Sequence, residues 1–152
     1  MLIDSSVEFT RLLPPHARLL GLDVGKTTIG LALSDVMRSI ASPLETIDRK
    51  KFDKDMERLK AVIASHAIGG LVIGYPVNMD GSHGPRTQST RTFVSTMKKH
   101  VTLPMLLWDE RLSTMAVERA MLEADLSRQR RAQLVDKLAA SYMLQGFLDS
   151  VN

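Results

Sequence analysis

Residues 19–35 read LLGLDVGKTTIGLALSD. Two short apolar runs, Leu19–Val24 and Ile29–Leu33, flank a junction around Val24-Gly25-Lys26-Thr27. Runs of this length bounded by turn residues predict the two strands of a β-hairpin. Asp23 interrupts the first run, and an unpaired carboxylate in the interior of a sheet is costly. A chain keeps such a group to bind a cation, to accept backbone hydrogen bonds or to serve in catalysis. The plainer alternative is a strand-end Asp that caps the turn at Gly25.

Working outward, residues 43–47 form a third strand whose Pro43 suggests a sheet edge or strand start. Phe52, Met56, Leu59 and Ile63 recur at helical spacing. Leu71-Val72-Ile73 is a buried strand closed by Gly74-Tyr75-Pro76. The stretch NMDGSHGP, residues 78–85, is a loop, and Pro85 is placed to open a helix reaching about His100. Met105–Trp108 is a fifth strand, and two helices over about 113–124 and 127–148 complete the chain. The order βββαβαβαα predicts an α/β fold, a five-stranded mixed sheet flanked by helices on both faces. That order is the ribonuclease H-like one. Residues 1–17, which end after Pro14-Pro15, read as an N-terminal extension without an assigned role, and residues 18–152 as one domain.

The bulk numbers narrow the class. A chain of 152 residues that is 44% hydrophobic and 24% charged suits one globular domain and not a disordered one. No apolar run is long enough to span a bilayer, the N-terminus lacks a signal-peptide pattern, and there are no cysteines. Disulfide frameworks, zinc fingers and cysteine nucleophiles are thereby excluded, and a cytoplasmic location is expected. The net charge is only +3, yet no acid occurs from Gly81 to Trp108 while Arg86, Arg91, Lys98 and Lys99 do. Arg128, Arg130 and Arg131 form a second basic cluster. Such stretches can hold a phosphate backbone with salt-sensitive affinity, although charge alone favours a solvated helix face.

Two further acids join Asp23. Around Asp136 the i±3 and i±4 positions are Gln133, Ala139, Ala132 and Ala140, none cationic, and the stripe continues to Met143 and Phe147. Asp136 is therefore expected on the apolar, sheet-facing side of the last helix. Asp109-Glu110-Arg111 directly follows the fifth strand, where open α/β sheets place their functional crevice. Either acid could point into it; Glu110 has the longer reach, and Asp109 could instead cap the helix near Ser113. Three converging carboxylates repel one another unless a cation joins them. Oxygen-only ligands suit Mg²⁺ or Mn²⁺, and two such ions about 3.5–4 Å apart would serve phosphodiester hydrolysis.

Other features carry less. Gly25-Lys26-Thr27 imitates the end of a nucleotide P-loop, but the required first glycine falls on Leu20. Asp23, Gly25, Thr27 and Gly30 satisfy the DxGxTxxG phosphate motif of the actin-like fold, whose second lobe this chain has no length to build. The histidines, His16, His66, His83 and His100, show no ligand spacing, and Met56, Met97 and Met143 read as core filling. Aromatics make up 5% of the chain, which argues against unspecific single-strand binding built on base stacking.

Four segments together resemble the YqgF (RuvX) family, whose members are named as pre-16S rRNA nucleases and Holliday-junction resolvases. They are GLDVGKTTIGLALSD (21–35), VIGYPVNMDGSHGPRTQ (72–88), WDERLST (108–114) and VDKLAASYMLQ (135–145). The resemblance implies a ribonuclease H-like nuclease with Asp23, Glu110 and Asp136 as catalytic residues and ligands of Mg²⁺ or Mn²⁺. It places Arg86, Arg111 and Thr114 against substrate phosphates, and Lys26 in the hairpin turn is a further substrate-binding candidate. The family shows Thr-Lys-Arg after the glycine, where this chain has Lys26-Thr27-Thr28. The expected partner is nucleic acid, with precursor 16S rRNA at its 5′ end ahead of branched DNA, and ribosomal particles as further partners of a monomer or homodimer. A junction resolvase would need two active sites and hence a dimer. The alternative from a different class is a non-catalytic RNA- or ribosome-binding factor, and a third is an actin-like phosphotransferase that would bind ATP.

Overall fold

A computed structural model describes residues 1–75, 84–109 and 128–152, with side chains of the last segment described from residue 138. Along the chain these form β1 (Leu2–Ile3), α1 (Ser6–Arg11), β2 (Arg18–Val24), β3 (Thr28–Ser34) and β4 (Ala41–Asp48). There follow α2 (Phe52–Ser65), β5 (Ile68–Tyr75), α3 (Pro85–Met97), β6 (Met105–Asp109) and a long helix, here α4 (Arg128–Val151). The helix expected over 113–124 lies outside the described residues.

The strands make one six-stranded sheet in the order β1-β6-β5-β2-β3-β4. The hairpin read from residues 19–35 is β2 and β3, antiparallel, with Leu22 opposite Leu31 and Asp23 opposite Gly30. β5 and β6 run parallel to β2 on its other side. As its proline suggested, β4 is an edge strand, and its register against β3 shifts between Leu31 and Ala32, beside Pro43.

The sheet has two apolar faces. Leu20, Leu22, Ile29, Leu31, Leu71 and Ile73 pack against α2 and α3 through Met56, Leu59, Phe93 and Met97. Leu19, Ala32, Val72 and Leu106 pack on the other face against α4 through Ala140, Met143, Leu144 and Phe147. β5 is buried along its whole length, as a central parallel strand covered on both faces must be. Met56, Met97 and Met143 are all buried, which agrees with core filling. No described helix is long and apolar enough to cross a membrane.

The expected five strands are six because the N-terminal segment contributes one. Leu2 and Ile3 pair in parallel with Met105 and Leu106. α1 then lays Phe9, which is wholly buried, against Phe147 edge to face at 5.8 Å. β5 admits this segment through its glycines: a Cβ on Gly70 would lie 2.9 Å from the Phe9 ring, and one on Gly69 only 2.5 Å from the Ala17 Cβ.

The turn from β3 to β4 is held by Asp35, whose carboxylate accepts the backbone N–H groups of Ser39 and Ile40 at 2.8 and 3.0 Å. These bonds, with the Ser39 hydroxyl, hold its carboxyl below the ordinary carboxylate range. A carboxylate stabilised in this way contributes fully above its unfolded pKa and loses that contribution as pH falls through the lowered folded value. Urea titrations of wild type and Asp35→Ala should therefore show a stability gap at neutral pH that closes in acid. A pH-independent gap would mean that the carboxylate charge is not what holds the turn.

Candidate active site

The parallel strands β2, β5 and β6 end together at one edge. Leu22 is level with Ile73, and Ile73 with Leu107; one step on, Gly74 is level with Trp108 and Tyr75 with Asp109. Asp23 thus sits half-buried on an interior strand, at the carboxyl edge where such sheets place ligand crevices. Glu110, the next residue in sequence after β6, lies outside the described residues, as do Arg111 and Thr114.

Side chains alternate across a strand, so Asp23 shares the face of Gly21. Gly21 is where the last helix comes down on the sheet: a Cβ there would stand 3.0 Å from the Leu144 Cβ and 3.4 Å from the Ala140 carbonyl oxygen. The direction of α4 follows from its far end. The Asn152 side chain donates to the Arg38 carbonyl at 2.9 Å, and Gln145 donates to that of Ser39 at 2.9 Å. Gln145 also accepts the Ala41 N–H at 2.9 Å. That turn lies beyond the end of β3, at the edge where β2 begins, so α4 runs antiparallel to β2. Its earlier residues lead towards the Asp23 edge, and Asp136 is in α4 one turn before Ala140, a rise of about 6 Å.

Because Gly21 is the seat of α4, Gly21→Val is expected to destabilise the fold by about 1–3 kcal/mol through overpacking. It should also lift the helix that carries Asp136. Urea denaturation measures this, and an unchanged midpoint would refute the seating of α4 on β2.

On the opposite face the hairpin turn is tied back to the sheet. Gly25 donates its N–H to the Thr28 carbonyl at 2.8 Å. The Arg49 guanidinium donates to the Gly25 carbonyl at 2.7 Å and lies 5.3 Å over the Phe93 ring. Lys26, at the turn, is exposed. Arg86 is exposed in the first turn of α3, whose start is set by Gly84 at the cap and by Pro85. Tyr75 ends β5 and is buried; its hydroxyl accepts from Arg91 Nε, and the Arg91 guanidinium lies 5.3 Å from the Tyr75 ring centroid. Lys26, Arg49, Phe52 and Arg86 line an open groove of 860 Å³.

Of the residues expected at the site, Asp23, Lys26 and Arg86 are therefore located at this edge, with Asp23 on one face and the Lys26–Arg86 groove on the other. Asp136 is placed by its helix. Sequence reading did not single out Arg49; its signal was the basic run Arg49-Lys50-Lys51 that follows β4. Among the described residues no three acids or histidines gather into a cation site, and Glu110 and the Asp136 side chain are outside that set.

A family model for RuvX, described as Holliday junction resolvase, matches residues 17–150. This chain belongs to the RuvX family. Similar curated proteins carry the name "Putative pre-16S rRNA nuclease". The one from Roseobacter denitrificans is 52% identical, covering 99% of this chain and 94% of its own. Those from Rhodobacter capsulatus and Paramagnetospirillum magneticum are each 55% identical, covering 98% and 99% of this chain and 94% and 97% of theirs. The RuvX model begins at residue 17, whereas these matches extend over most of the N-terminal segment as well.

Among solved structures, Thermus thermophilus RuvC in complex with a Holliday junction substrate superposes with a TM-score of 0.52 at 14% identity, covering 90% of this chain and 97% of that one. The yeast mitochondrial Holliday junction resolvase Ydc2 gives 0.50 at 11% identity, covering 92% and 81%. At such identities the likeness concerns fold, and the RuvX chain has the ribonuclease H-like fold expected from its strand order.

Proposed function

We propose that this chain is a nuclease that hydrolyses phosphodiester bonds with Mg²⁺ or Mn²⁺, and that its substrate is precursor 16S rRNA, cut in the cytoplasm during maturation of the 5′ end. The observation that carries the reading is Asp23, half-buried in mid-sheet at the carboxyl edge and on the face where α4 packs. The names of the relatives supply the substrate.

The donor set fits a hard divalent cation, since Asp23, Glu110 and Asp136 offer carboxylate oxygens alone. When bound, the ion supplies Lewis-acid activation of water and of the phosphate. The chain's own part is to hold and orient. Asp23 is fixed by pairing within β2 and β3; Glu110 follows the end of β6; Asp136 is carried by α4. Lys26, Arg86 and Arg111 neutralise substrate phosphates, and Thr114 offers a hydroxyl to one of them. Cationic side chains at this edge give affinity without reading sequence, so the cleavage position must come from RNA shape or from a ribosomal particle.

The test is cleavage of a labelled precursor-rRNA fragment beside a four-way DNA junction, each with Mn²⁺, Mg²⁺ or EDTA. Cutting of the RNA in the metal lanes and none in EDTA is the expected result. The RuvX family description makes junction cleavage the competing outcome. If the junction is cut and the RNA spared, the substrate is branched DNA. If RNA is bound and nothing is cut, the chain is a binding factor.

A further inference from the structure

We propose that the groove between the β2–β3 turn and α3 binds a single-stranded segment of the substrate RNA that flanks the bond to be cut, with phosphates on Lys26, Arg49 and Arg86 and a base against Phe52. The inference rests on the nuclease reading above and adds a second binding face to it.

Position is the first argument. The groove starts at Val24 and Gly25, directly after Asp23 in the chain. Val24 packs with the α2–α3 core, so it faces away from the side shared by Asp23 and Gly21. A strand with one phosphate at Asp23 needs only to pass over the sheet edge at the turn to enter the groove. Charge is the second argument. Lys26, Arg49 and Arg86 come from three separate elements and line one groove, and among the described residues lining it there is no carboxylate. Of these, Arg49 is already held by the Gly25 carbonyl and by the Phe93 ring. Its guanidinium is thus preorganised and loses little freedom on meeting a phosphate.

The third argument is the apolar wall. The chain has only four phenylalanines, and two of them, Phe52 and Phe93, line this groove. They meet at 5.5 Å and 67°, an edge-to-face pair that holds the half-buried Phe52 ring at the groove. Aromatic faces next to cations are what unstacked bases bind. At 860 Å³ the groove falls in the size class that encloses one ligand-sized group. It therefore has room for a nucleotide or two of a single strand.

The experiment is fluorescence anisotropy in EDTA with a labelled oligouridylate, a duplex RNA of equal length and unlabelled uridine monophosphate as competitor, across a salt series. Lys26→Ala/Arg86→Ala should weaken oligouridylate binding on the order of tenfold and flatten its salt slope by about 1.4, or 0.7 per lost contact. Phe52→Leu keeps an apolar side chain there and should cost about fivefold or more through lost stacking, with duplex binding unchanged. Thermal midpoints near wild type would establish that both variants are folded.

Folded variants with wild-type affinity and salt slope for the oligouridylate would overturn the proposal. So would equal losses for single strand and duplex, or competition by the mononucleotide as strong as the oligomer's own binding. The two readings fail separately. Metal-dependent cutting that is lost in Asp23→Asn, with no groove effect on binding, removes only the groove. Groove-dependent binding without cutting removes the nuclease.

Discussion

Asp23→Asn is expected to lower metal-dependent hydrolysis by about a thousandfold or more, equivalent to about 4 kcal/mol of transition-state stabilisation. The change is nearly isosteric and keeps an oxygen acceptor, so the β2–β3 pairing through Asp23 and Gly30 should survive. What disappears is one negative charge at the carboxyl edge of the sheet. RNA affinity measured in EDTA should hold or rise, because a carboxylate near phosphate opposes binding electrostatically. Purified wild type and variant, compared in one preparation series, separate these effects. Equal cutting by both proteins would mark the activity as a contaminant's and leave the site without support.

Phe9→Ala should destabilise the protein by about 3–5 kcal/mol, the range for emptying a wholly buried aromatic site, and lower the thermal midpoint by roughly 10 °C. Phe9 is fully buried and packs edge to face on Phe147, which packs likewise on Trp108 at 5.5 Å. The three rings tie α1, α4 and β6 together on the face that Asp23 shares. Loss of Phe9 thus loosens α4, the helix that carries Asp136, and activity should fall with stability. A cost below about 1 kcal/mol, the scale of a surface substitution, would show that the N-terminal segment is peripheral despite its pairing with β6.

The reason this segment escaped the sequence reading is physical. A two-residue strand has no alternation to detect, and a six-residue helix has less than two turns of periodicity. The only signal was Phe9 and Leu13 at i, i+4, both buried. By contrast, β2 and β3 were legible because burial on both faces makes them short apolar runs, and Met143 and Phe147 of α4 are buried as their helical stripe suggested. β5 runs further than the expected Leu71–Ile73, from Ile68 to Tyr75. Its extra length is disguised by glycines that lower the apolar signal while making room for Ala17 and Phe9.

Candidate site residues stand out in the sequence where a charge contradicts its surroundings. Asp23 in an apolar strand and Asp136 in an apolar helix stripe both violate the pattern. Arg49 left no such trace. Its role depends on a turn carbonyl and a ring brought to it by tertiary folding, and a basic residue after a strand reads as ordinary surface.

Mn²⁺ binding offers the direct test of the proposed convergence of Asp23, Glu110 and Asp136 on divalent metal. Mn²⁺ titration of the metal-free protein, followed by water-proton relaxation, measures this directly in wild type, Asp23→Asn, Glu110→Gln and Asp136→Asn. Convergence predicts that each single substitution weakens Mn²⁺ binding about tenfold or more, a cost of about 1.4 kcal/mol or greater. Wild-type affinity in a folded Asp136→Asn or Glu110→Gln variant would contradict the three-carboxylate site.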